Sequence, residues 1–212
     1  MVLGIAMMAA MLPTMVGLNE ATQHTRDHET NRQQSSRKQR CHLVANCALS
    51  QGTAEQRSQI ENAKAFVGLD GRIYLTKKPT EGMTLFNGGF FAHPDFAPEN
   101  TSGLVTITGE QPPTLRWVFL DRSSHELRWG GRPESEGQVC GPFDWTKDEQ
   151  RVTLEGWEGW LAVRLPDEGR EEKEKETEGV WRVFFDRNDD GADLPVGAQG
   201  LEIVLKRVAA ET

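Results

Sequence analysis

The stretch Asp186-Arg187-Asn188-Asp189-Asp190-Gly191-Ala192-Asp193 reads as D-x-N-x-D-G. That is the opening of a calcium loop, in which oxygens at alternate positions converge on a hard cation and the glycine permits the sharp turn. Asp186, Asn188, Asp190 and Asp193 are therefore the candidate metal ligands, and calcium is the cofactor they would suit. The twelfth position is Gly197 instead of a bidentate glutamate, so closure would fall to Asp193 or Glu202. The competing reading is an acidic turn between two strands, because Asn, Asp and Gly are the residues turns use.

Six tryptophans, Trp117, Trp129, Trp145, Trp157, Trp160 and Trp181, lie between residues 117 and 181. Burial in a β core is the plain expectation for most of them. Trp157 and Trp160 are harder to bury together. If Leu161, Val163 and Leu165 face the core, Trp160 shares the other face with Ala162 and Arg164. An exposed indole beside a guanidinium can stack a sugar ring or a planar ligand, or anchor a protein partner, which makes Trp157, Trp160 and Arg164 the candidate ligand face.

Catalytic candidates are few. His125 lies near Asp121 and Glu126 in sequence, and Asp144 and Asp148 flank Trp145, so His125, Asp121 and Asp144 are the side chains from which a histidine and carboxylate pair would be assembled. No G-x-S-x-G elbow, phosphate-cradling glycine loop or two-histidine metal spacing is present. Cys41 and His42 are adjacent, which in a strand points them to opposite faces.

These groups need a scaffold, and the chain supplies one from short runs punctuated by turn residues. From Cys41 onward CHLVANC, GLVTIT, LRWVFLD, ELRWG, RVTLEG, WLAVRLP, GVWRVFFD and LEIVLKR all read as strands. Asp70-Gly71, between two β-prone runs, marks a hairpin, and Asp121 to Ser124 marks a second turn. Residues 77 to 101, rich in Pro, Gly and Phe, read as a long loop. The pattern predicts an all-β domain at 39–208, an antiparallel sandwich or flattened barrel of eight to ten strands with few or no helices.

The 212 residues fit one domain, large enough to bury about 70% of its unfolded surface without disulfides. Three cysteines, an odd number, favour a reducing compartment and a cytoplasmic location. The alternative is secretion, with residues 1–21 acting as a signal peptide. Residues 1–38 are read as a flexible leader, apolar and then polar. A net charge of -8 argues against nucleic acid as a partner, and the apolar run at 1–19 is short for a membrane span. Seven acids against three bases at 167–178 read as a solvated loop, spanning 166–179.

Four stretches, DRSSHELRWG, GPFDWTKDE, LEGWEGWLAV and FFDRNDDGADLP, resemble an uncharacterised group of filamentous-fungal β-rich proteins. The likeness runs over about residues 36–208. It implies one intact domain and brings no activity with it. The functional expectation is thus a non-enzymatic β-sandwich binding module with a Trp-bearing face and a calcium-holding turn, its partner a protein or a small molecule such as a sugar. The alternative is a hydrolase- or isomerase-like enzyme using His125 with nearby carboxylates.

Overall fold

The computed structural model describes residues 32, 35–36, 38–48, 51–93, 103–108, 112–148, 150–166 and 179–210. The leader at 1–38 lies almost wholly outside these, as does the acidic run at 167–178. One compact unit spans Arg40–Thr212.

Six antiparallel strands close into a barrel. They are β1 (Cys41–Cys47), β2 (Ala63–Gly68), β3 (Ile73–Thr76), β11 (Trp160–Arg164), β12 (Trp181–Phe185) and β13 (Gln199–Ala209). The ring order is β1-β2-β3-β12-β11-β13, and it closes because β1 pairs with β13 along its whole length and with β2 through Val44↔Lys64 and Ala45↔Ala63. Closure removes the free edges that an open sheet leaves unpaired.

Alternate residues of each strand point into the barrel. Leu43 and Ala45, Ala63 and Ala65, Ile73 and Leu75, Trp160 and Ala162, Trp181 and Val183, and Leu201 and Ile203 all belong to one buried cluster. The alanines of β1 and β2 leave the room that two indoles need. Residue size around the ring is thus part of the packing solution.

A second set of strands, β4 (Met83–Leu85), β5 (Gly88–Phe91), β6 (Gly103–Thr108), β7 (Thr114–Leu120) and β8 (Leu127–Gly130), fills the middle of the chain. β4 adds to β2, while β5 joins β1 at Cys41↔Gly88 and leads through β6 and β7 to β8. β8 then returns to the barrel, where Trp129 N–H donates to Gly71 O at 2.9 Å and Phe185 N–H donates to His125 O at 3.0 Å. The hairpin of β9 (Phe143–Trp145) and β10 (Val152–Leu154) buries Phe143, Trp145, Val152 and Leu154 in the same cluster as the barrel residues. Every strand but β4 therefore contributes to one core.

The all-β expectation holds, with a barrel as the form it takes. Thirteen strands are present among the described residues because several are only three or four residues long. The stretch at 77–101 differs from the long loop expected, since β4 and β5 lie within it. Gly88 makes β5 feasible: a Cβ there would come within 1.9 Å of Val105 O, so only glycine lets the two backbones pair this closely. At the Asp70-Gly71 hairpin, Gly71 N–H donates to Gly68 O and Gly68 N–H to Arg72 O, giving a three-residue loop. Positive φ is needed at Gly71 alone (+77°) and not at Asp70.

One helix, α1 (Ala54–Ile60), went unmarked by periodicity. Its start is nevertheless written in Thr53 and Gln56: the Thr53 hydroxyl accepts from Gln56 N–H, and the Gln56 side chain accepts from Thr53 N–H. From α1, Gln59 accepts from both Arg164 Nη2 (2.9 Å) and Trp181 Nε1 (3.2 Å), fastening the helix to the barrel. A single helical turn, α2 (Arg132–Ser135), follows β8.

The facing of β11 is the reverse of the sequence expectation. Trp160 is 1% exposed and points into the barrel with Ala162, while Leu161 and Val163 pack outward with Phe184, Ala192, Leu194 and Ala198. Both faces of this strand are covered, so alternation could not say which one lay inside.

Candidate functional site

The three constellations expected from sequence do not assemble. Trp160 Nε1 donates to Val152 O at 2.7 Å inside the core, and Trp157 packs its ring against Phe185 with centroids 5.5 Å apart. Arg164 does meet an indole, but it is that of fully buried Trp181, 4.6 Å from the guanidinium carbon to the ring centroid. The Trp157, Trp160 and Arg164 face is therefore corrected to three separate packing roles, because the reversed facing of β11 puts the indole inside.

The acidic turn folds upon itself. Asp186 Oδ1 accepts from Asp190 N–H (3.0 Å) and Ala192 N–H (3.2 Å), and Oδ2 accepts from Gly191 N–H (2.7 Å). Burial alone would raise this carboxyl, but the three amides outweigh it and hold it below the ordinary carboxylate range. Asn188, Asp190 and Asp193 are exposed. Among the described residues no group of three His, Cys, Asp or Glu side chains is placed to hold a metal ion. The expected convergence of Asp186, Asn188, Asp190 and Asp193 is corrected to a turn that Asp186 caps with its own oxygens.

His125 sits in the β7–β8 turn at φ +58°, and its buried Nδ1 has no hydrogen-bond partner. Asp121 Oδ1 is engaged by Ser123 N–H (3.0 Å), Ser123 Oγ (2.6 Å) and Ser124 N–H (2.9 Å). Asp144 lies on β9, where Oδ1 accepts from Trp145 N–H at 2.7 Å. The carboxylate of Asp121 thus shapes the turn that carries His125 and forms no pair with its buried ring nitrogen.

What the fold does build is a cleft of about 540 Å³ between the β2–β3 turn, strands β7 and β8, and α2. Trp129 walls it, and its Nε1 donates to Gly68 O at 3.0 Å, which fixes the ring across the seam where β8 meets the hairpin. Asp70 accepts from Arg72 Nη1 (2.8 Å) and from the Tyr74 hydroxyl (2.5 Å). Burial would raise the Asp70 carboxyl, yet these bonds from Tyr74 and Arg72 bring it below its ordinary value. Tyr74 in turn is pushed up to about 12 by burial and by its bond to Asp70.

On the opposite wall Arg128 contacts Asp121 only loosely, Nη1 to Oδ2 at 3.8 Å, and reaches Asp70 O with Nη2 at 3.4 Å. The Asp121 carboxyl is itself held low, because the Ser123 and Ser124 donors overcome the effect of burial. Arg116 and Glu134 complete the lining. Both approach Gly131: a Cβ there would lie 2.9 Å from Arg116 Nη1 and 3.0 Å from Glu134 Oε2. The cleft therefore offers an indole, guanidinium donors and ionised carboxylate acceptors around a space kept open by glycine.

The sequence grouped Trp129 with the tryptophans expected in the core and gave no signal for Arg116, Arg128 and Glu134 themselves. The available signal was Gly130-Gly131 directly after Trp129, where two missing side chains leave space at the end of a strand. Their meeting with the Asp70-Gly71 turn, some sixty positions earlier, is long-range and leaves no mark in local pattern.

Comparison with curated proteins and with solved structures gives no match. A family model described as a fungal beta-trefoil domain matches residues 17–211, nearly the whole chain, and accords with the all-β barrel and the fungal likeness. The chain belongs to the fungal beta-trefoil domain family.

Proposed function

We propose that the domain is a non-enzymatic binding module that takes a sugar, or a small ligand as richly hydroxylated, into the cleft walled by Trp129. The observation that carries this reading is the combination in that cleft of an anchored indole with charged donors and acceptors. A sugar presents a C–H face that packs on an indole and hydroxyls that both donate and accept, and a mixed set of guanidinium and carboxylate groups serves both directions. The indole beside a guanidinium that the sequence suggested is thus kept as chemistry, with Trp129 and Arg128 in place of Trp160 and Arg164. The unpartnered Nδ1 of His125 and the turn-bound carboxylate of Asp121 favour binding over the hydrolase- or isomerase-like alternative.

The test is titration of the purified domain with a panel of monosaccharides and short oligosaccharides, followed by heteronuclear NMR of the indole N–H signals. Saturable movement of the Trp129 signal is expected, lost in Arg128→Ala and retained in Arg164→Ala at equal folded fraction. Absence of saturable binding across the panel, or movement confined to other indoles, would overturn the reading.

A further inference from the structure

Resting on that reading, the geometry points to an acidic saccharide as the ligand, its carboxylate received by Arg116. Arg116 is half-buried on β7 and forms no ion pair or hydrogen bond among the described residues. Its neighbour Glu134, which is exposed, likewise forms no ion pair or hydrogen bond among the described residues. The two side chains approach the same glycine, each about 3 Å from where a Cβ would stand, and no ion pair joins them. Of the other charges lining the cleft, Asp70 is paired with Arg72 at 2.8 Å, and Asp121 and Arg128 approach each other to 3.8 Å.

A cation and an anion that approach one open position without pairing ask for a ligand that answers each. A guanidinium presents its N–H groups as a planar fork, which a carboxylate fits with two parallel bonds. A carboxylate such as Glu134 accepts hydrogen bonds and needs hydroxyl donors. A uronic acid carries both groups on one ring, and the ring's apolar face suits Trp129. A neutral sugar would leave the Arg116 fork unfilled, and a simple dicarboxylate would leave Glu134 facing like charge. Gly130 and Gly131 keep the approach clear, since a Cβ at Gly130 would meet Glu134 Cβ at 2.7 Å.

The experiment compares glucuronate with glucose and galacturonate with galactose, as free sugars and as short oligomers, by NMR titration of the full chain. The uronate of at least one pair is expected to bind about tenfold more tightly than its neutral partner, the size of one charge-assisted hydrogen bond. In Arg116→Gln the ratio of acid to neutral affinity should fall to one, whatever the change in neutral-sugar affinity itself; Arg116→Lys, which keeps charge without the fork, should retain part of the preference. Thermal unfolding identifies any variant that fails to fold; should Gln do so, an Arg116→Lys preference as large as the parent's overturns the inference and a reduced one supports it. Equal affinity for acid and neutral sugar in the parent, or an acid preference that survives Arg116→Gln, overturns the inference and leaves the binding reading standing. Failure of every saccharide to bind overturns both.

Discussion

Glu126, directly before β8, is 5% exposed, with Oε1 3.3 Å from Arg72 Nε and 3.8 Å from Arg182 Nη1. Burial raises its carboxyl above the ordinary value of 4.5, and the nearby Arg182, Arg72 and Arg128 offset this only in part. A raised folded pKa means the native state holds the proton more tightly than the unfolded chain. The stabilising contribution is therefore complete below about pH 4.5 and declines as pH climbs through the folded value. Glu126→Gln, which fixes the uncharged form, should leave stability at pH 7 unchanged or raised by about 1 kcal/mol and should flatten the stability profile just above pH 4.5. Chemical unfolding of parent and variant at several pH values reads both effects; a loss of several kcal/mol would show that the ion pairs outweigh desolvation. Asp186 has the opposite sign. Its depressed carboxyl stabilises above pH 3.8 and loses that contribution as pH falls through the folded value. Asp186→Ala strands three amides and should cost about 1–3 kcal/mol. Melting temperatures of the parent in calcium, in magnesium and in chelator should agree, because both Asp186 oxygens are already in use.

At the scale of the element, short strands depend on a few special positions. Gly88→Ala would drive a methyl group onto Val105 O, and the β5–β6 ladder must shift or break to admit it. The expected cost is about 3 kcal/mol or more, beyond the range of ordinary substitutions. Gly137, at positive φ with open space where a Cβ would stand, is the control: alanine there should cost only about 1 kcal/mol of backbone strain. Thr53→Ala removes the α1 cap and should lose about 1 kcal/mol. The helix matters beyond its length, because Gln59 satisfies both the Trp181 indole and Arg164. These costs are measurable by denaturant unfolding, and equal losses for Gly88→Ala and Gly137→Ala would contradict the close approach of β5 to β6.

Across the Arg40–Thr212 unit a single buried cluster joins the barrel, the β5–β8 strands and the β9–β10 hairpin. Unfolding of the Arg40–Thr212 unit should therefore be one cooperative transition. Leu154→Ala in the hairpin and Leu75→Ala in the barrel should each cost about 2–5 kcal/mol without splitting it. Separate transitions by tryptophan fluorescence and by far-ultraviolet circular dichroism would show independent layers. The β class and the hairpins at Asp70-Gly71 and Asp121 were legible in the amino-acid sequence. Alternating apolar residues and turn-forming dipeptides act over a few neighbouring positions, and their physics is local. Which face of β11 lies inside, whether Asp186 binds outward or inward, and which tryptophan meets a cleft were decided by tertiary structure alone. A strand covered on both faces has no polar side to betray its orientation, and a carboxylate serves an amide as well as a cation. The cleft itself joins residues 69–71 with residues 116–134, which only the return of β8 onto the β2–β3 hairpin brings within bonding distance.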